Sequence, residues 1–275
     1  MKAVFRILIN HIMIKIIITV LLIFGIILIT APIYVKNGFS AYEYTLILLS
    51  DKFMLSLFWM SGLIIWNYDL FSLRNEKSLL AFKSGSTRKL YSINGLALVL
   101  RVLLFAVEIV ICIIAFSIIF GMTLSNQWSP SAIYGTVNIV DGLDYYGRPF
   151  INLIDQSLPI YAVLKSIPLL VARNLVYSLM AVIVFSISYN MGFAYVITAI
   201  INYLDIYCCS YFSYEGTLFM PYAYSTVTSI AGNRPSSMLI LLYWLLLIGI
   251  MTITSYTVFT NRFEIIFANQ NKTRE

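Results

Sequence analysis

The sequence predicts an all-α integral membrane protein with six transmembrane helices and both termini in the cytoplasm. Of its 275 residues 60% are hydrophobic and only 11% charged, and the mean hydropathy is +0.88. That is too apolar and too poor in charge for a soluble domain of this length. The orientation comes from one stretch, Asp69 to Leu96, which carries Arg74, Lys77, Lys83, Arg88 and Lys89 against only Asp69 and Glu76. Short loops this basic, set beside apolar runs, are retained on the cytoplasmic side.

Met1 to Lys15 places Lys2, Arg6 and Asn10 four residues apart, on one helical face among apolar neighbours. This segment reads either as an interfacial helix on the inner leaflet or as the charged start of the first span. Ile16 to Val35 is almost unbroken apolar sequence, long enough at about 1.5 Å per residue to cross a hydrocarbon core of roughly 30 Å. No small-x-small site closes it, so it reads as a span and not as a signal peptide.

Lys36 to Asp51 reads as a short polar connection and Lys52 to Leu70 as the second span. Beyond the basic loop, Ala97 to Met122 is the third span. Thr123 to Lys165 reads as a folded external loop, rich in aromatics and prolines, with Pro149 to Ser166 leaning into the interface. Ser166 to Tyr189 and Met191 to Cys208 are the fourth and fifth spans, joined by a tight turn at Asn190. Ser210 to Ser237 is aromatic but interrupted by Gly216, Pro221, Gly232 and Pro235, the pattern of a re-entrant or interfacial hairpin. Met238 to Phe259 is the sixth span, and a polar tail runs from Asn261 to Glu275. The whole chain reads as one transmembrane domain.

Twelve positive residues face four acidic ones on the inner side of this topology, a net +8, while five face six on the outer side, a net −1. The formal charge of +6 is therefore membrane topology and not a nucleic-acid surface. The three cysteines, Cys112, Cys208 and Cys209, have no histidine nearby to complete a zinc set and read as small apolar packing groups. The single histidine is His11, and GxxxxGK[ST], GxSxG, HExxH and GxGxxG are all absent. No enzymatic activity, cofactor or metal is expected.

Three ionisable residues are expected within the membrane itself, away from its two faces. Glu108 lies at about mid-depth without a depth-matched partner, while Arg173 and Asp205 lie at similar depth and are expected to form an ion pair. Trp128, Tyr211, Phe212 and Tyr214, continuing to Tyr224, are expected to form an outer aromatic surface at the level where amphipathic rings settle.

The arrangement resembles the permease subunit of an ABC-2 type transporter. An N-terminal interfacial segment, a basic loop between spans two and three and a broken aromatic hairpin before span six carry the likeness across nearly the whole chain. Within the loop, Glu76, Leu79-Leu80 and Ser86-Thr87-Arg88 resemble the acidic, leucine-rich and Ser-Arg parts of that family's first cytoplasmic loop. The family's Gly-Thr has no counterpart, and Ser84-Gly85 stands where it has proline.

The resemblance implies a coupling helix, with Glu76, Lys77, Leu79, Leu80, Phe82 and Arg88 docking a separate cytosolic ATPase. It further implies a second permease copy or sister permease, a setting among the lipids of the cell membrane, and export of an amphipathic peptide or lipid-like substrate. Two other classes stay open: a non-transporting sensor or immunity protein, and an ion-coupled secondary transporter using Glu108 and Asp205.

Overall fold

The computed structural model describes residues 12–70, 87–134, 138–139, 142–143, 153–208, 220–233 and 235–272. Five helices within it are long and apolar enough to cross a bilayer. They are α1 (Ile12–Lys36), α4 (Thr87–Ile119), α6 (Pro159–Ser188), α7 (Met191–Cys208) and α9 (Ser237–Lys272, apolar through Asn261).

A sixth apolar stretch is broken. Helix α2 (Ala41–Ser50) meets a π-helical turn (Met54–Phe58) that runs into α3 (Trp59–Asn67), and the pair is bent by 68°. Short elements complete the set: α5 (Pro130–Tyr134), a two-residue antiparallel pair β1 (Asn138–Ile139) and β2 (Gly142–Leu143), a 3-10 turn (Pro221–Tyr224) and α8 (Val227–Asn233).

Helix α2 corrects the expected polar connection at 36–51. Ser40 begins it with a capping box, its hydroxyl accepting from Glu43 N while the Glu43 carboxylate accepts from Ser40 N at 2.7 Å. The other Glu43 oxygen accepts from Ser129 N at 2.5 Å, Ala41 N donates to Thr123 O at 2.9 Å, and Ser131 Oγ donates to Asn37 O at 2.5 Å. Glu43, expected as a loop charge, is thus fully buried and ties α2 to the chain that leaves α4. Asp51 makes the break: its backbone is extended where α2 ends, and its carboxylate accepts from Met54 N to start the next helix.

Helix α4 and the chain just beyond it hold the two ends of the bent pair. Ala41 meets Thr123 just beyond the C-terminal end of α4, while Asp69, just past α3, meets Arg101 near the middle of that helix. Between these points α3 packs close to α4 because Gly62 has no side chain. A Cβ there would lie 2.6 Å from the ring of Phe105, which is itself fully buried.

Helices α6 and α7 form an antiparallel hairpin. Tyr189 ends α6 in the left-handed region (φ 55°), and Asn190 Oδ1 accepts from Phe193 N to start α7. This is the tight turn the sequence predicts.

Several expected boundaries shift. Helix α4 begins at Thr87, ten residues ahead of its apolar run, and α6 at Pro159, inside the stretch expected as external loop. Helix α9 continues through Lys272, so the expected tail from Asn261 is mostly helical. Lipid dictates hydrophobicity and not where a helix stops, so elements run past their apolar windows wherever a capping signal is lacking.

Candidate functional site

Three features concentrate the chemistry of the molecule. The first is an ionic joint where α1, α3 and α4 converge. Asp69 Oδ1 accepts from Lys15 Nζ and, at 2.6 Å, from Arg101 Nη1, and its Oδ2 accepts from Arg101 Nη2 at 3.3 Å. Both cations also donate to Trp66 O, at 2.9 Å and 2.8 Å. That carbonyl lies in the last turn of α3, where helical oxygens lack N–H partners and the helix dipole favours positive charge. The Trp66 indole donates to Thr19 Oγ1 at 3.0 Å, binding α1 a second time.

Burial works to raise the Asp69 pKa, but the hydrogen bonds and charge of Arg101, and then of Lys15, outweigh it and hold the carboxyl at about 2. The sequence counts Lys15, Asp69 and Arg101 as topology charges. They are instead a buried cluster, in which the Arg101 side chain is 1% exposed.

Glu108 follows Arg101 two helical turns along α4. Its two carboxylate oxygens are buried and have no hydrogen-bond partner among the described residues. The neighbouring Trp66 indole has given its N–H to Thr19. An unpartnered carboxyl group at this depth is costly and marks a functional position more often than a structural one.

The second feature joins α6, α7 and the π-helical turn. Arg173 and Asp205, expected as an ion pair, do not form one; each charge is met by a neutral side chain instead. Arg173 Nη2 donates to Asn202 Oδ1, while Tyr177 OH donates to Asp205 Oδ2 at 2.6 Å. The guanidinium lies over the Tyr177 ring, 5.3 Å from its centre. Asn202 Nδ2 reaches Leu55 O at 3.4 Å and Ser56 O at 3.5 Å, carbonyls in the π-helical turn. Arg173 Nε and Asp205 Oδ1 remain without partners among the described residues. Two polar side chains thus intervene between the charges, a geometry that depth-matching along two helices does not resolve.

The third feature is a cleft of about 550 Å³ between Lys165 to Ala172 of α6, the first turns of α9 and the flank of α8, at the end of the bundle away from Asp69. Of the expected outer aromatics, Trp128 is half-buried and donates to Ser157 O at 2.9 Å, close to this cleft. Tyr224 is buried, its carbonyl accepting from the Trp244 indole in the cleft wall. Tyr211, Phe212 and Tyr214 lie outside the described residues, as do Glu76, Lys77, Leu79, Leu80 and Phe82. Arg88 is described, exposed in the first turn of α4.

The fold and these sites define a helical membrane protein with several spans. No family model, curated protein or solved structure matches the chain.

Proposed function

We propose that this chain is the permease subunit of an ATP-driven ABC-2 type exporter in the cell membrane, moving an amphipathic peptide or lipid-like substrate. In this reading the bent α2–α3 pair counts as one span, giving six, with both termini cytoplasmic. The basic stretch from Asp69 to Leu96, through Glu76, Lys77, Leu79, Leu80, Phe82 and Arg88, docks a separate ATPase subunit, and a second permease copy or a sister permease completes the pathway.

One observation carries the reading: the anchoring of the two ends of that segment. Leu70 is fully buried and packs in one cluster with Leu90, Tyr91 and Leu98 of α4, and Asp69 beside it is held by Lys15 and Arg101. A push on 71–86 would therefore reach α1, α3 and α4 together, as coupling to a motor subunit requires.

The test is Leu80→Asp and charge reversal at Glu76 or Arg88. Each is expected to abolish co-purification with the ATPase, or to uncouple ATP turnover in liposomes, while the spans still insert. Leu80→Asp with wild-type assembly and turnover overturns the reading. The partnerless Glu108 favours a second one, an ion-coupled transporter. In that case Glu108→Gln stops transport, and no ATPase co-purifies with either protein.

A further inference from the structure

The cleft at the far end of the bundle has an apolar body and a polar mouth. Leu169 and Ala172 of α6 face Ile240, Trp244 and Ile248 of α9 across it. Leu241 and Leu245 line its open side and are 61% and 62% exposed, continuous with Leu242 and Leu246 on a flank of α9 that almost nothing in the fold covers. A helix this apolar and this bare belongs against lipid, so the cleft opens sideways into the bilayer.

The mouth is built by Gln156, Ser157 and Lys165, and Lys165 is the one charged residue among the described lining residues. Ser157 Oγ is buried there without a hydrogen-bond partner among the described residues. Buried hydroxyls ordinarily find partners, so this one is left for a ligand or a water. From Ser237 to Ile248 the α9 wall extends about 16 Å, and the volume falls within the range of about 300–1,000 Å³ usual for small-molecule sites.

We propose that this cleft seats one acyl chain of an anionic phospholipid, with the headgroup against Lys165 and its oxygens within reach of the Ser157 hydroxyl. The occupant follows from complementarity: apolar walls open to the membrane require a hydrocarbon chain, and the Lys165 cation at the mouth selects a negative head. The proposal is independent of whether the chain transports anything.

The test is native mass spectrometry of the delipidated chain in mild detergent, titrated with phosphatidylglycerol or with phosphatidylcholine of the same acyl chains. One phosphatidylglycerol per chain is expected to bind saturably and more tightly than phosphatidylcholine. Lys165→Gln, an exposed position that leaves the fold intact, should weaken phosphatidylglycerol binding about fivefold, the effect of one cation near a lipid headgroup, and remove the preference. Ile240→Trp should fill the cleft and lower retention of both lipids, while Leu246→Trp, on the bare flank outside the cleft, should change nothing. Three results overturn the proposal: unsaturable adducts equal for the two lipids, Lys165→Gln binding like wild type, or dimer formation that displaces the bound lipid and so identifies a second copy as the occupant.

Discussion

Replacing Asp69 by asparagine keeps the shape of the joint and removes its one negative charge among the described residues. The carboxyl sits at about 2 against an ordinary value of 3.8, a difference that corresponds to roughly 2 kcal/mol of stabilisation at neutral pH. The substitution also removes the carboxylate that Lys15 and Arg101 share, and removing one member of a buried ion pair costs about 3–5 kcal/mol. The Asp69 side chain is 28% exposed, which places the expected loss at the low end, about 3 kcal/mol.

The sign with pH follows from the depressed folded value. The stabilisation is complete above 3.8 and disappears as the pH falls through about 2, so wild type and Asp69→Asn should converge across that window. The assay is unfolding in detergent followed by tryptophan fluorescence, with exposed Asp155→Asn as the control, expected within about 0.5 kcal/mol of wild type. If Asp69→Asn behaves like that control, or if the gap between the curves is the same at both ends of the window, the joint does not stabilise the fold as described.

Gly62→Ala should cost about 1–3 kcal/mol by forcing α3 away from the Phe105 ring, and Phe105→Leu in the same chain should recover part of the loss in the unfolding assay. Double-mutant cycles should give a coupling between Arg173 and Asn202 of about 0.5–3 kcal/mol and a smaller one between Arg173 and Asp205, since only the first pair is in direct contact; equal couplings would contradict the described network. In a cysteine-free background, an impermeant thiol reagent added outside should label Gln127→Cys, exposed in the chain that follows α4, and not Lys89→Cys, exposed in the first turn of α4. The reverse pattern would invert the topology.

The five long helices were legible because lipid demands an uninterrupted apolar run and the sequence supplies one in each. Helix α2 was hidden because Tyr42, Glu43, Tyr44 and Thr45 interrupt its hydrophobicity. The available signal was Ser40 followed three residues later by Glu43, a capping box ahead of an apolar run. The charges were read as a bias and not as individuals, since counting sides cannot separate Arg88, exposed on α4, from Arg101, buried against Asp69. Nor does helical depth reveal that Tyr177 and Asn202 take the contacts expected between Asp205 and Arg173. Such contacts depend on side-chain reach across two helices and on the wider carbonyl spacing of the π-helical turn.

The bend at Asp51 also sets a length. The two arms, of ten and fourteen residues, measure about 15 and 21 Å, and would span about 36 Å in line. Bent by 68°, their ends stand about 30 Å apart, the thickness of a typical hydrocarbon core. Because Ala41 is fastened just beyond one end of α4 and Asp69 near its middle, the pair acts as a brace of fixed chord along that helix. In the proposed six-span arrangement, a bilayer thicker by a few ångströms would have to open that angle or strain one of the fastenings, at a fraction of a kcal/mol per ångström of mismatch.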